Sequence, residues 1–91
     1  DSVICGGGSD TVTGGAGNDT VFGGNGNDQL HGSIGNDWLY GQAGDDKLFG
    51  EEGDDSLNGG AGADVLDGGD GHDLAEKDSL DTLLHVEAVL T

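Results

Sequence analysis

Gly14-Gly15-Ala16-Gly17-Asn18-Asp19-Thr20-Val21-Phe22 is followed directly by Gly23-Gly24-Asn25-Gly26-Asn27-Asp28-Gln29-Leu30-His31. The second nonamer keeps the glycines, the Asp and the apolar eighth residue of the first and changes the rest. Extended in both directions, this phase sets Asp10, Asp19, Asp28, Asp37, Asp46, Asp55, Asp64 and Asp73 nine residues apart. Two residues before each lies Gly8, Gly17, Gly26, Gly35, Gly44, Gly53, Gly62 or Gly71. Two residues after come Val12, Val21, Leu30, Leu39, Leu48, Leu57 and Leu66, until Ala75 breaks the run of large side chains. From Cys5 onward, eight copies of Gly-Gly-x-Gly-x-Asp-x-(apolar)-x run without an inserted residue, the mark of a repeat architecture.

Residue types convert the repeat into geometry. The first six positions are rich in Gly, Asn and Asp, which supply positive-φ backbone and tight turning. The last three, such as Thr20-Val21-Phe22 or Trp38-Leu39-Tyr40, are short strands with the middle residue facing one way and its neighbours the other. Three residues cannot stand as a free strand, so each copy must stack on copies above and below. Two turn-strand units then close one coil of 18 residues, and eight copies give about four coils stacked at about 4.8 Å. Alternate copies share an edge. One edge lines up Asp10, Asp28, Asp46 and Asp64, and the opposite edge Asp19, Asp37, Asp55 and Asp73. Carboxylates repeated at that spacing repel one another unless a hard cation lies between them. Ca²⁺, with 6–8 oxygen ligands and tolerant geometry, suits such a column better than strictly octahedral Mg²⁺.

Composition points the same way. The 91 residues include 21 Gly, no Pro and only two basic side chains, with a formal charge of −17. A chain this acidic and this poor in large apolar residues has a thin core and strong self-repulsion. It lacks the basic patches that nucleic acid or an anionic membrane requires. No apolar run approaches a spanning helix, and Asp1-Ser2-Val3-Ile4 is not a signal peptide. The single Cys, Cys5, excludes an internal disulfide framework.

The nonamer resembles the RTX, or haemolysin-type, calcium-binding repeat, from Cys5 to about Glu76. The resemblance implies an all-β fold, a right-handed parallel β-roll over residues 1–76 with the apolar residues of two sheets facing inward. It also implies Ca²⁺ between neighbouring turns of one edge, held by an Asp from each turn and by turn carbonyls. The first carbonyl candidates are the glycines at positions two and four: Gly6, Gly8, Gly15, Gly17, Gly24, Gly26, Gly35, Gly44, Gly53, Gly60, Gly62, Gly69 and Gly71. Positions one and three follow. Four turns per edge leave three gaps, so two edges offer about six sites, and about six Ca²⁺ would bring −17 to about −5. The function implied is a module that folds on calcium outside the cell, within a larger protein secreted by the type I route.

Several positions depart from the pattern. Ser33, Gln42 and Glu51 occupy position two in three consecutive copies; if that site needs positive φ, these turns are strained. After Ala75, Glu76-Lys77-Asp78 breaks the register, and residues 77–91 fit neither a helical nor a strand period cleanly. This tail resembles the segment that often follows such arrays and is expected to cap the last open coil, with a short amphipathic helix as the alternative. Phe22, Trp38 and Tyr40 belong to even copies and should share one outer face, with Phe49 on the other. They are candidates for docking a neighbouring domain of the same protein or a glycan, which makes an adhesion module the alternative function. An ice-binding file is excluded, because position three carries no row of Thr. His31, His72 and His85 are too scattered for a zinc site, and no nucleophile or acid–base pair stands out, so a catalytic role is not expected.

Overall fold

Apolar-centred triplets separated by six turn residues can satisfy their backbone only by pairing between coils. The computed structural model describes residues 2–76, 81–84 and 88–90, which hold eleven three-residue strands. These are β1 (Ser2–Ile4), β2 (Thr11–Thr13), β3 (Thr20–Phe22), β4 (Gln29–His31), β5 (Trp38–Tyr40), β6 (Lys47–Phe49), β7 (Ser56–Asn58), β8 (Val65–Asp67), β9 (Leu74–Glu76), β10 (Thr82–Leu84) and β11 (Ala88–Leu90). Odd strands form a six-stranded sheet in the order β1-β3-β5-β7-β9-β11, and even strands a five-stranded sheet in the order β10-β8-β6-β4-β2. All pairings are parallel, and within the array each joins a residue to its equivalent one coil on, as in Val21↔Leu39 and Leu30↔Leu48. The result is a β-solenoid of about four turns with no helix among the described residues.

The middle residue of each triplet fills the space between the sheets. Val21, Leu30, Leu39, Leu48, Leu57, Leu66 and Ala75 form one buried file, with Val3, Val12 and Leu83 packed half-buried against its ends. Neighbours on either side of each face outward, which is the period-two alternation read from the triplets. Turns are tied across coils as well: the N–H of Gly32 donates to the Phe49 carbonyl and that of Lys47 to the Asp28 carbonyl, both at 2.8 Å.

The N-terminal end lies within the expected limits, and the C-terminal end extends past them. The solenoid already includes β1, half a coil before the first full copy. At the other end Ala75 keeps its core place despite its size, and the array does not stop at Glu76. Strand β10 continues the five-stranded sheet beside β8, and β11 the six-stranded sheet beside β9. Thr82 pairs with Val65, one residue short of the eighteen-residue step, so a lost residue conceals this extension from a strict count of nine. The described tail residues are strands, not the alternative helix; residues 77–80, 85–87 and 91 of the expected cap lie outside the described residues.

The three irregular turns adopt positive φ at the substituted position: 75° at Ser33, 70° at Gln42 and 69° at Glu51. Left-handed backbone disfavours residues with a Cβ by about 1–2 kcal/mol. Gln42→Gly should therefore raise the thermal midpoint of the folded chain, by somewhat less than that cost because Gly also gains unfolded-state entropy. Glu51→Gly should gain less, since the Glu51 carboxylate pairs with His31 Nδ1 at 2.8 Å. In the file, Leu48→Ala should cost about 3 kcal/mol in urea denaturation, the usual cost of a cavity in a core too rigid to collapse.

Candidate metal centre

Position six ends the turn and begins the strand, so its side chain is drawn under the turn. Asp19, Asp28, Asp37, Asp46, Asp55, Asp64 and Asp73 are all buried, and Asp10, at the open end, is partly so. The structure places them in the two predicted columns. In each column the backbone N–H of one Asp donates to Oδ1 of the Asp one coil on, at 2.8 Å for Asp10 to Asp28, Asp28 to Asp46, Asp19 to Asp37 and Asp37 to Asp55. The links from Asp46 to Asp64 and Asp55 to Asp73 are of the same kind.

The second carboxylate oxygen has a different fate. Oδ2 of Asp28, Asp37, Asp46 and Asp55 is buried and accepts no hydrogen bond. It lies over the position-one glycine of its own copy, where a side chain would begin. A Cβ on Gly23 would meet Asp28 Oδ2 at 2.8 Å and the Gly41 carbonyl oxygen of the next coil at 3.0 Å. A Cβ on Gly32 would meet Asp37 Oδ2 at 2.6 Å and the Gly50 carbonyl oxygen at 3.0 Å. The turns at Gly14, Gly23, Gly32, Gly41 and Gly50 thus keep a cradle, empty of side chain, where a carboxylate and a carbonyl oxygen converge.

Positions two and four contribute oxygens from below. A Cβ on Gly24 or Gly26 would strike the carbonyl oxygen of Gly6 or Gly8, one coil back, and one on Gly60 would meet the Gln42 carbonyl oxygen at 2.6 Å. Gly35, Gly44, Gly53, Gly62, Gly69 and Gly71 stand in the same relation to the turn below. These carbonyls therefore face the gap between turns. The same positions need left-handed backbone, φ 92° at Gly15 and 99° at Gly17, which turns the peptide toward that gap. Among the described residues no group of three or more His, Cys, Asp or Glu side chains converges. The available donor set is a carboxylate with several main-chain carbonyls, all hard oxygen, which fits Ca²⁺ and offers nothing to a softer ion.

Burial shows in the acidities. The pKa of Asp55 rises to about 7, first through desolvation and then through the charges of Asp73 and Asp37, against the pull of the Asp37 N–H. That of Asp46 rises to about 6 for the same leading reason, with Asp28 and Asp45 adding repulsion. Asp37 is raised as well, chiefly by burial. Without a counter-charge, these carboxylates are poorly accommodated in their ionised form.

Two features escaped the sequence reading. Asp81 joins the odd column, its Oδ1 accepting from the Asp64 N–H at 2.9 Å. The signal was present as Asp81 two residues before Leu83, the spacing of every copy. Position five forms a second ladder. Asn18, Asn27 and Asn36 each accept, through Oδ1, the N–H one coil above, from Asn36, Asp45 and Asp54. Asp45 and Asp54 do the same for Ala63 and His72. The candidate outer residues do share a face: Phe22 and Tyr40 stack with centroids 4.9 Å apart, and Trp38 stands beside them on β5. His31 is engaged with Glu51 and stacks on Phe49 at 4.8 Å; His85 lies outside the described residues.

A profile of the RTX calcium-binding nonapeptide repeat matches the chain over residues 6–39, 23–57 and 40–75. The chain belongs to this family. Its RTX repeats form a calcium-binding module, and the cradles above lie within the matched residues. No individual curated protein matches the sequence.

The acidities carry a prediction for the metal-free chain. Unfolded carboxylates release their protons near pH 4, whereas Asp46 and Asp55 hold theirs to about 6 and 7 when folded. Across that interval the folded state binds more protons, so its stability falls as pH rises. In chelator, far-UV circular dichroism should show more β-structure at the acid end of this window than at its neutral end. A metal-free spectrum that loses β-structure on acidification would contradict the assignment.

Proposed function

We propose that the chain is a non-catalytic module whose folding is driven by calcium, part of a larger protein exported by type I secretion and folded outside the cell. The observation that carries this reading is the set of buried Oδ2 atoms on Asp28, Asp37, Asp46 and Asp55 that accept no hydrogen bond. Ionised, they oppose folding, and the two basic residues of the chain against 19 acidic ones leave a net charge of −17. The Asp carboxylates, with the carbonyls of positions one, two and four, would hold about six Ca²⁺ between successive turns. When bound, the ions supply the positive charge that lets the carboxylates stay ionised under the turns.

The chain's own residues then account for the coupling. Each gap draws oxygens from two coils, so no gap is complete until both are in place. The glycines keep the cradle clear, and the N–H to Oδ1 bonds hold each carboxylate at a fixed height. In calcium-poor cytosol the carboxylates repel and the chain stays extended, which suits export. Near-millimolar calcium outside the cell draws successive turns of each edge together. Secretion is supported by family membership, and among the described residues no helix is long and apolar enough to cross a membrane.

A Ca²⁺ titration followed by far-UV circular dichroism and calorimetry tests the proposal. The expected course is from a disordered spectrum to β-sheet with Ca²⁺ and not with Mg²⁺, reversed by chelator, at about six ions per chain. Gly41→Ala should weaken the response, because the new Cβ would lie 2.5 Å from Asp46 Oδ2 and 2.8 Å from the Gly59 carbonyl oxygen. A β-sheet spectrum of full amplitude in chelator at neutral pH would refute calcium-driven folding.

A further inference from the structure

The outer face of the six-stranded sheet carries a notch of about 250 Å³ whose floor is β7. Two cross-strand rows build it. In one, Trp38 is followed by Ser56 and then Leu74; in the other, Tyr40 is followed by Asn58 and then Glu76. The small and medium side chains of β7 thus lie between larger ones on β5 and β9. Strands two steps apart are about 9.6 Å apart, which leaves room for one flat ring. Tyr40 is already stacked on Phe22 on its β3 side, with an interplanar angle of 10°. The file of rings stops at the shorter Asn58, so the part of Tyr40's far face that extends past the Asn58 amide opens into the notch. Trp38, the one Trp of the chain, is 53% exposed beside it.

The polar groups decide what kind of ring fits. Asn58 Nδ2 donates to Glu76 Oε2 at 2.6 Å, and the Asn58 Oδ1 accepts from the Gly60 N–H at 3.0 Å. The amide is therefore held flat, with the carboxylate fixed at its edge and able to accept further hydrogen bonds. Ser56 adds a hydroxyl that both donates and accepts. An aromatic wall meeting a carboxylate, an amide and a hydroxyl is complementary to a ring with a C–H face and a hydroxyl edge. A purely apolar ligand would desolvate the remaining hydrogen-bonding capacity of these groups without replacing it. The Glu76 charge, on a chain of −17, disfavours an anionic ligand.

We infer that this notch binds one pyranose ring of a neutral sugar, stacked against the open aromatic face and hydrogen-bonded through its hydroxyls to Glu76, Asn58 and Ser56. The site rests on the roll being folded, as proposed above, and lies on a sheet face, away from the turn edges where calcium is expected.

Because Trp38 is the one Trp, its fluorescence reports on the notch alone. The 91-residue chain, loaded with Ca²⁺ and checked for β-structure by circular dichroism, is titrated with maltotriose, cellotriose, mannotriose and galactotriose, and with trigalacturonate for comparison. At least one neutral trisaccharide should shift Trp38 emission to the blue and protect it from acrylamide, with a Kd on the order of millimolar, the ordinary reach of a single ring. Ser56→Tyr, which fills the floor, should abolish the response, and Asn58→Ala should weaken it about tenfold, the loss of one good hydrogen bond. A folded chain silent to every sugar overturns this inference and leaves the calcium reading intact; a chain unfolded in Ca²⁺ and equally silent overturns both. A response that survives Ser56→Tyr, or that favours trigalacturonate, also overturns it. So does a sedimenting dimer in which Trp38 is shielded without sugar, since the notch would then be an interface between copies.

Discussion

Seven aspartates lie beneath the turns of this protein with almost no exposure, and an ionised carboxylate removed from water must find opposite charge or give up its ionisation. Everything else in the structure is arranged around that constraint. The two basic residues cannot meet it: Lys47 stands on an outer strand position, and Lys77 falls in the segment where the register breaks. Oδ1 of Asp28, Asp37, Asp46, Asp55, Asp64 and Asp73 accepts a main-chain N–H of the neighbouring coil, which fixes its height in the column. The other oxygen is directed to a point where glycine leaves space and a carbonyl oxygen already waits. A core of single Val and Leu residues, one per half-coil, is too thin to impose this burial by itself. On the proposed reading, the fold and its cation are one equilibrium, with neither the strands nor the columns a scaffold that exists first.

Most of this arrangement was legible in the period of nine, because the repeat fixes phase and phase fixes everything that stacks. Asp19 lies above Asp37 and Val21 above Leu39 for the same arithmetic reason, so columns and core file followed together. Positive φ at Ser33, Gln42 and Glu51 could also be anticipated, since glycine at that place in other copies signals the backbone and not the side chain. What a count of nine could not show was continuity through a lost residue. Asp81 and Leu83 keep the local spacing of a copy, yet they sit one residue out of step with Asp64 and Leu66. Sheet pairing tolerates that deletion because the residue is taken from the turn and not from the strand. The ordering of carbonyls was equally out of reach. Position one became prominent only when Asp28 Oδ2 was seen to lie over Gly23, a matter of side-chain direction that spacing does not encode.

The two side-chain ladders explain why the coils act as a unit. At position six, a carboxylate accepts from the coil before it, and at position five, Asn or Asp accepts from the coil after it. Each turn is consequently held from both directions, and removing one coil breaks bonds on either side. Such nearest-neighbour coupling is the general condition for cooperative assembly of a linear array. On the odd edge the position-five ladder ends on Ala63, which has no side-chain acceptor to extend it, and on the even edge it reaches His72. Beyond that point the odd edge continues through the Asp64–Asp81 bond. The C-terminal end of the odd edge is thus tied by the carboxylate column together with the parallel pairing of β10 on β8.

The same geometry separates binding of the ion from everything presented on the faces. Turn positions are constrained by carbonyl direction, by left-handed backbone and by space that a Cβ would fill. Middle strand positions are constrained by the file between the sheets. Only the two outward positions of each triplet remain, and there the residues differ freely: Thr20, Gln29, Trp38, Lys47 and Ser56 occupy equivalent places in successive copies. Because parallel pairing brings equivalents together one coil apart, any sequence written at these positions becomes a two-row surface at about 4.8 Å spacing. A ring beside a small residue is then a notch, and a ring beside a ring is a stack, without change to the backbone beneath. Phe22, Tyr40 and Asn58 in one row, with Trp38 and Ser56 in the other, produce both within three rungs. The surface chemistry is therefore set independently of the turn edges.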